Sequence, residues 1–148
     1  MPTDMEYLKD LIDSYRNHSI EYYMNYTNHL PMAATALMQM GAGRERLMEF
    51  CATYSRRLNG RVQSSITING ESWKHNLGQH RYLDAYNRFF RAEAKRMGVN
   101  TMLQGYLSEL MDGIGSGAFH ALIKLTYGIL NDDDTEKIEA MAYYAICY

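Results

Sequence analysis

Five histidines, His18, His29, His75, His80 and His120, are the side chains of this sequence best suited to hold a transition metal, because neutral imidazole is a good donor to iron, zinc or copper. No two of them stand three or four residues apart, so no single helix face carries a pair. A metal centre would have to be assembled from separate elements, as helical bundles do. His29, His75 and His120 lie in the stretches Asn28-His29-Leu30-Pro31, Trp73-Lys74-His75-Asn76-Leu77-Gly78 and Ala118-Phe119-His120-Ala121-Leu122-Ile123, near expected helix starts, and each should be partly buried. The competing reading is a structural imidazole satisfied by a backbone carbonyl or a tyrosine hydroxyl, and spacing alone favours it.

Other chemistries have less support. Gly113-Ile114-Gly115-Ser116-Gly117 precedes a helix, and glycines let backbone amides approach an anion there. The run lacks the GxGxxG order, a preceding strand and a closing Lys-Ser or Lys-Thr pair, so a turn that permits tight helix packing is the better reading. Ser108 and Ser116 have no nucleophile-elbow motif, and neither Cys51 nor Cys147 shows CxxC spacing, which leaves buried free thiols. Glu93 interrupts the apolar stripe Tyr82, Tyr86, Phe89, Phe90, where a carboxylate must be paired, by default in a salt bridge. That stripe reads first as core and second as the wall of a flat aromatic pocket.

The elements that must position these residues are helices. Thr3 and Glu6 form a capping box, and Leu8, Leu11, Ile12 and Tyr15 continue a helical stripe to about Asn17. Further helices are predicted at about 28–40, with Pro31 in the first turn and Gly41 as the stop, and at about 44–58, before Gly60. Val62, Ser64, Ile66 and Ile68 alternate without a partner strand, so 60–72 reads as a loop or a short β excursion. Helices follow at about 79–97, from Asn100 to Met111, at 118–130 and from Thr135 onward, with Asp132 to Asp134 favouring the last start. The final stretch, Met141 to Tyr148, is apolar and uncapped, and reads as the middle of an element that needs a covering partner, for example a second copy of the chain. The expectation is an all-α fold, one domain over residues 1–148 with six to seven helices.

Composition narrows the function. A chain of 148 residues with 47% hydrophobic and 22% charged residues should fold, and its net charge of −2 gives no positive field to attract nucleic acid. No apolar run approaches the ~20 residues of a membrane helix. Asp4, Glu6, Lys9 and Asp10 occupy the place of a signal peptide's apolar region, so a cytoplasmic protein is expected. Eleven Met and thirteen Tyr beside two Pro suit helices packed by bulky, adaptable side chains around aromatic-lined space.

Taken in order, Asn28-His29-Leu30-Pro31-Met32-Ala33, Trp73-Lys74-His75-Asn76-Leu77-Gly78, Phe89-Phe90-Arg91-Ala92-Glu93 and Gly117-Ala118-Phe119-His120-Ala121-Leu122-Ile123 resemble the questin oxidase-like family, from about residue 15 to the end. The resemblance implies a mostly helical oxidoreductase performing oxygen-dependent, Baeyer–Villiger-like oxidation or ring cleavage of an aromatic, polyketide-type substrate. It implies NADPH as reductant, non-haem iron held by His29, His75 and His120, and no flavin motif; since members are typically longer, it also implies that residues 1–148 are the N-terminal part of a longer family domain. Trp73, Tyr86 and Phe119 are the expected substrate-binding residues. Many fungal members carry a second histidine four residues after the first; Ala33 stands there, which points to a bacterial-type member with a different substrate. Two other functions remain open: a non-catalytic module binding an aromatic ligand, and a helical interaction protein that dimerises through its apolar end.

Overall fold

The computed structural model describes residues 1–148. Seven α-helices and one two-stranded hairpin make up its regular structure, so the fold is all-α. By its internal packing the chain divides into two compact units, Met1–Val62 and Gln63–Tyr148, although no Pro- or Ser-rich linker marks the boundary.

The first unit contains α1 (Asp4–Asp13), the strands β1 (Glu21–Tyr22) and β2 (Tyr26–Thr27), α2 (Leu30–Gln39) and α3 (Arg44–Ser55). The capping box forms as expected: the Glu6 amide donates to Thr3 Oγ1 at 3.2 Å, and the Thr3 amide donates to Glu6 Oε2 at 2.7 Å. Leu8 and Ile12 of α1, Leu30 and Ala34 of α2, and Cys51 of α3 make one buried cluster, flanked by Tyr15, Phe50 and Tyr54. The antiparallel hairpin has no counterpart in the sequence expectations. Its tip, Tyr23-Met24-Asn25, contains no glycine yet runs at φ +20°, +51° and +64°. Asn59 helps hold it there, its Oδ1 accepting the Tyr23 amide at 3.1 Å.

The second unit opens with extended chain and 3-10 turns at Trp73–Asn76 and His80–Tyr82, followed by α4 (Leu83–Met97) and α5 (Val99–Leu110). Two more 3-10 turns, Met111–Gly113 and Ser116–Phe119, lead into α6 (His120–Leu130) and α7 (Asp134–Cys147). The alternating residues Ser64 to Ile68 make no strand, because α4 side chains meet their backbone groups instead. Asp84 Oδ2 accepts the Ser64 amide at 2.9 Å, and Arg88 donates to the carbonyls of Ser64 and Ile66 at 2.8 and 2.6 Å. The helix expected from Gln79 starts at Leu83, since residues 80–82 close a tighter turn first.

Helix α7 is the centre of this unit, packed against α4, α5 and α6. Every residue from Glu136 to Ile146 is buried. The apolar stretch from Met141 that suggested a covering partner is thus covered from Met141 to Ile146, with α4, α5 and α6 of the same chain packed on its helix. Ala140, Ala142 and Ala145 are fully buried along this helix, and small side chains let neighbouring backbones come close. No helix is long and apolar enough to cross a membrane.

Candidate functional site

The second unit concentrates its unusual backbone in front of α6. Gly117, Ala118 and Phe119 follow one another in the left-handed region, at φ +57°, +51° and +64°. Glycine adopts that conformation freely, but each of the other two pays about 1–2 kcal/mol for its Cβ. A non-glycine pair held this way needs surrounding structure to impose it, and such strain gathers at functional sites. The strained elbow ends at His120, the first residue of α6.

The carbonyl of Gly117 lies 2.6 Å from His120 Nδ1. A carbonyl can only accept, so Nδ1 carries the proton and the ring lone pair sits on Nε2. His29 in the first unit repeats this arrangement, with its Nδ1 2.7 Å from the carbonyl of Thr27. Its own amide donates to the Tyr54 hydroxyl at 3.1 Å, which ties the start of α2 to α3. An imidazole whose Nδ1–H is anchored on a carbonyl is the usual form of a metal-binding histidine, because the anchor fixes both tautomer and ring orientation. His29 and His120 therefore fit a role as metal donors, and the same geometry also satisfies a purely structural histidine. His75, on the 3-10 turn at Trp73–Asn76, is exposed rather than partly buried, and no carbonyl orients its ring. The three predicted donors divide between the units, His29 in the first and His75 and His120 in the second.

The predicted aromatic residues divide as well. Trp73 and Tyr86 are buried, and their rings belong to a cluster with Phe89, Phe90 and Tyr106. Trp73 meets Tyr106 edge-on at 5.1 Å between centroids and Phe90 at 6.4 Å. Tyr86 donates its hydroxyl to the Trp73 carbonyl at 2.5 Å, and burial pushes its pKa up to about 12, so it stays a neutral donor. Phe119 is different: held out by the left-handed elbow, it is 52% exposed, and its ring lies over Gly115 at 3.6 Å from where a Cβ would stand.

Glycines explain how the end of α7 fits beneath this elbow. A Cβ at Gly113 would come within 2.9 Å of the Tyr148 ring, one at Gly117 within 3.1 Å of Cys147 Sγ, and one at Gly78 within 2.9 Å of the Tyr148 carbonyl. The amide of Gly78 donates to the Ala145 carbonyl at 2.8 Å, satisfying one of the last carbonyls of α7. The glycine run before α6 is therefore a packing device, as its lack of a phosphate-loop order suggests.

Glu93 has the expected ion pair. Arg96 donates to it at 2.6 Å, and Tyr106 adds its hydroxyl at 2.6 Å. The Arg96 hydrogen bond, helped by Tyr106, holds the Glu93 carboxyl below its usual range.

Two groupings escaped the sequence reading. Lys124 of α6 lies 2.7 Å from Glu136 and 3.2 Å from Glu139 of α7, all three essentially without solvent contact. The available signals were Lys124 within the apolar run Ala121 to Leu125 and the i, i+3 pair Glu136 and Glu139, either of which also describes a solvated face. The other is His80 with Cys147, which are far apart in sequence and show no local pattern.

None of the curated proteins matches this chain. The family model described as questin oxidase-like matches residues 26–148, a span that includes His29 at the start of α2, the aromatic cluster, the strained elbow and the whole of α7. On that match the chain belongs to the questin oxidase-like family.

Proposed function

We propose that this chain acts as an oxygen-dependent oxidase of a flat aromatic, polyketide-type substrate, with a non-haem metal held by histidine. The observation that carries the reading is the anchoring of His29 and His120 through Nδ1 on backbone carbonyls, which leaves Nε2 in the donor form of each ring. Family membership supports the oxidase class. The strained elbow supports a functional role for its end of α6, since two non-glycine residues are held there at a cost packing must offset.

In this proposal His120 and His75 are donors from the second unit, and the family resemblance assigns His29 the same role. Iron bound by neutral imidazoles supplies redox activation of dioxygen. The protein's own part is orientation. Gly117 holds the His120 ring through Nδ1, so its Nε2 does not rotate away. Phe119 offers an exposed aromatic face beside His120, against which a planar ring can stack. Tyr86 fixes the Trp73 turn that carries His75, so the aromatic cluster acts as the rigid base of that donor. NADPH serves as a diffusing reductant.

The test is metal analysis of untagged protein before and after anaerobic incubation with ferrous iron, in the wild type and in His29→Ala, His75→Ala and His120→Ala. About one iron per chain, lost in the His75 and His120 variants, is the expected result. Wild-type protein that retains no iron, or iron retained equally by all three variants, would overturn the metal reading. Saturable binding of a planar aromatic ligand that survives all three substitutions would instead identify a binding module without turnover.

A further inference from the structure

Neither Cys51 nor Cys147 is in a disulfide, but their settings differ. Cys51 lies in the core of the first unit without solvent contact, and burial pushes its pKa up to about 11. Such a thiol stays protonated and inert. Cys147, the last residue of α7, is half-buried in the second unit. A ring nitrogen of His80, on the 3-10 turn that packs against α7, lies within 4.8 Å of its Sγ. Gly117 also packs on this side chain, and an added Cβ there would come within 3.1 Å of the same sulfur. The sulfur thus has a proton acceptor within reach of direct contact or of one bridging water, and it packs closely on the backbone of a glycine.

We propose that Cys147 and His80 form a thiol–imidazole pair that makes Cys147 a site of oxidation by hydroperoxides. His80 takes the thiol proton, giving thiolate and imidazolium. The thiolate sulfur attacks one peroxide oxygen: the S–O bond forms, the O–O bond breaks, and hydroxide or alkoxide leaves. The imidazolium returns its proton to that leaving group, giving water or alcohol. Sulfur is oxidised by two electrons to the sulfenic acid and the peroxide is reduced by two. Because the sulfur packs closely on Gly117, the added oxygen presses on the elbow whose carbonyl holds His120. The pair is independent of the proposed metal chemistry, and its test requires no metal.

The experiment follows alkylation of each cysteine by iodoacetamide, resolved by peptide mass spectrometry between pH 5 and 10, in the full wild-type chain, His80→Gln and Cys147→Ser. Cys147 should react at pH 6 at least tenfold faster than glutathione, with a rate midpoint below the ordinary thiol value of about 8.5. Cys51 should remain unlabelled and so report that the first unit is folded, and the emission of buried Trp73 should match wild type and so report the second. His80→Gln should slow Cys147 at least tenfold at pH 6 and move its midpoint toward 8.5. Hydrogen peroxide followed by dimedone should label Cys147 alone. A wild-type midpoint at or above 8.5 overturns the proposal, and so does a folded His80→Gln protein whose Cys147 rate stays within twofold of wild type. If Cys51 becomes labelled in His80→Gln, the wild-type pH profile and the dimedone result decide. Absence of a dimedone adduct on wild-type Cys147 under peroxide that oxidises glutathione also overturns it.

Discussion

Gly117 accepts the Nδ1–H of His120 at 2.6 Å from a backbone position at φ +57°, three residues upstream in a segment that is left-handed throughout. The hydrogen bond that sets the His120 tautomer therefore depends on a conformation that only one of the three preceding residues adopts without strain. Orientation of the proposed donor and strain in the chain are one feature.

Gly117→Ala should show this. The new Cβ pays the left-handed penalty and meets Cys147 Sγ at 3.1 Å and its Cβ at 3.4 Å. We expect a loss of about 1–3 kcal/mol in urea unfolding, together with a shifted His120 ring resonance in NMR. An unchanged His120 resonance would separate the elbow from the ring.

Lys124→Met should be far more costly than its conservative volume suggests. It leaves the buried Glu136 and Glu139 carboxylates of α7 without the ammonium that pairs with both. Removing one partner of a buried ion cluster costs about 3–5 kcal/mol. The triple variant Lys124→Met, Glu136→Gln, Glu139→Gln should recover most of that loss in the same denaturant titration, since no buried charge remains.

Acid should weaken the chain through Glu93. Its folded pKa lies below the ordinary 4.5, because Arg96 and then Tyr106 hydrogen-bond the charged form. The unfolded chain therefore binds the proton more readily, and the stability Glu93 contributes is fully present above pH 4.5 and lost as pH falls through the depressed folded value. Glu93→Gln should be less stable than wild type at pH 7, and the gap between the two should narrow below pH 4.5, measured by urea unfolding at each pH.

Tyr86→Phe should leave the Trp73 carbonyl without its donor inside the aromatic cluster. Loss of a buried hydrogen bond with one partner remaining costs about 1–3 kcal/mol, and Trp73 fluorescence should broaden or shift as its turn loosens. Unchanged emission and stability would mean that the cluster, rather than the hydroxyl, fixes that turn.

What the residues determine alone is local. Thr3 and Glu6 specify the first helix start, Gly41 and Gly98 specify stops at φ +90° and +88°, and the stripe through Ala85, Tyr86, Phe89 and Phe90 specifies which face of α4 is buried. Each follows from spacing along one helix, because capping and helical period involve neighbours three or four residues away. The ordered histidine and aromatic motifs also carry the family. Only tertiary structure decides the rest. Left-handed Ala118 and Phe119 contradict their own propensities and hold because packing imposes the elbow. Lys124, Glu136 and Glu139 read as surface charge until α6 and α7 meet at Gly128, where a Cβ would strike the Lys137 backbone at 2.9 Å. His80 and Cys147 become neighbours only because α7 returns to the turn before α4. Burial and long-range proximity are properties of how helices pack, and no periodicity within a single helix encodes them.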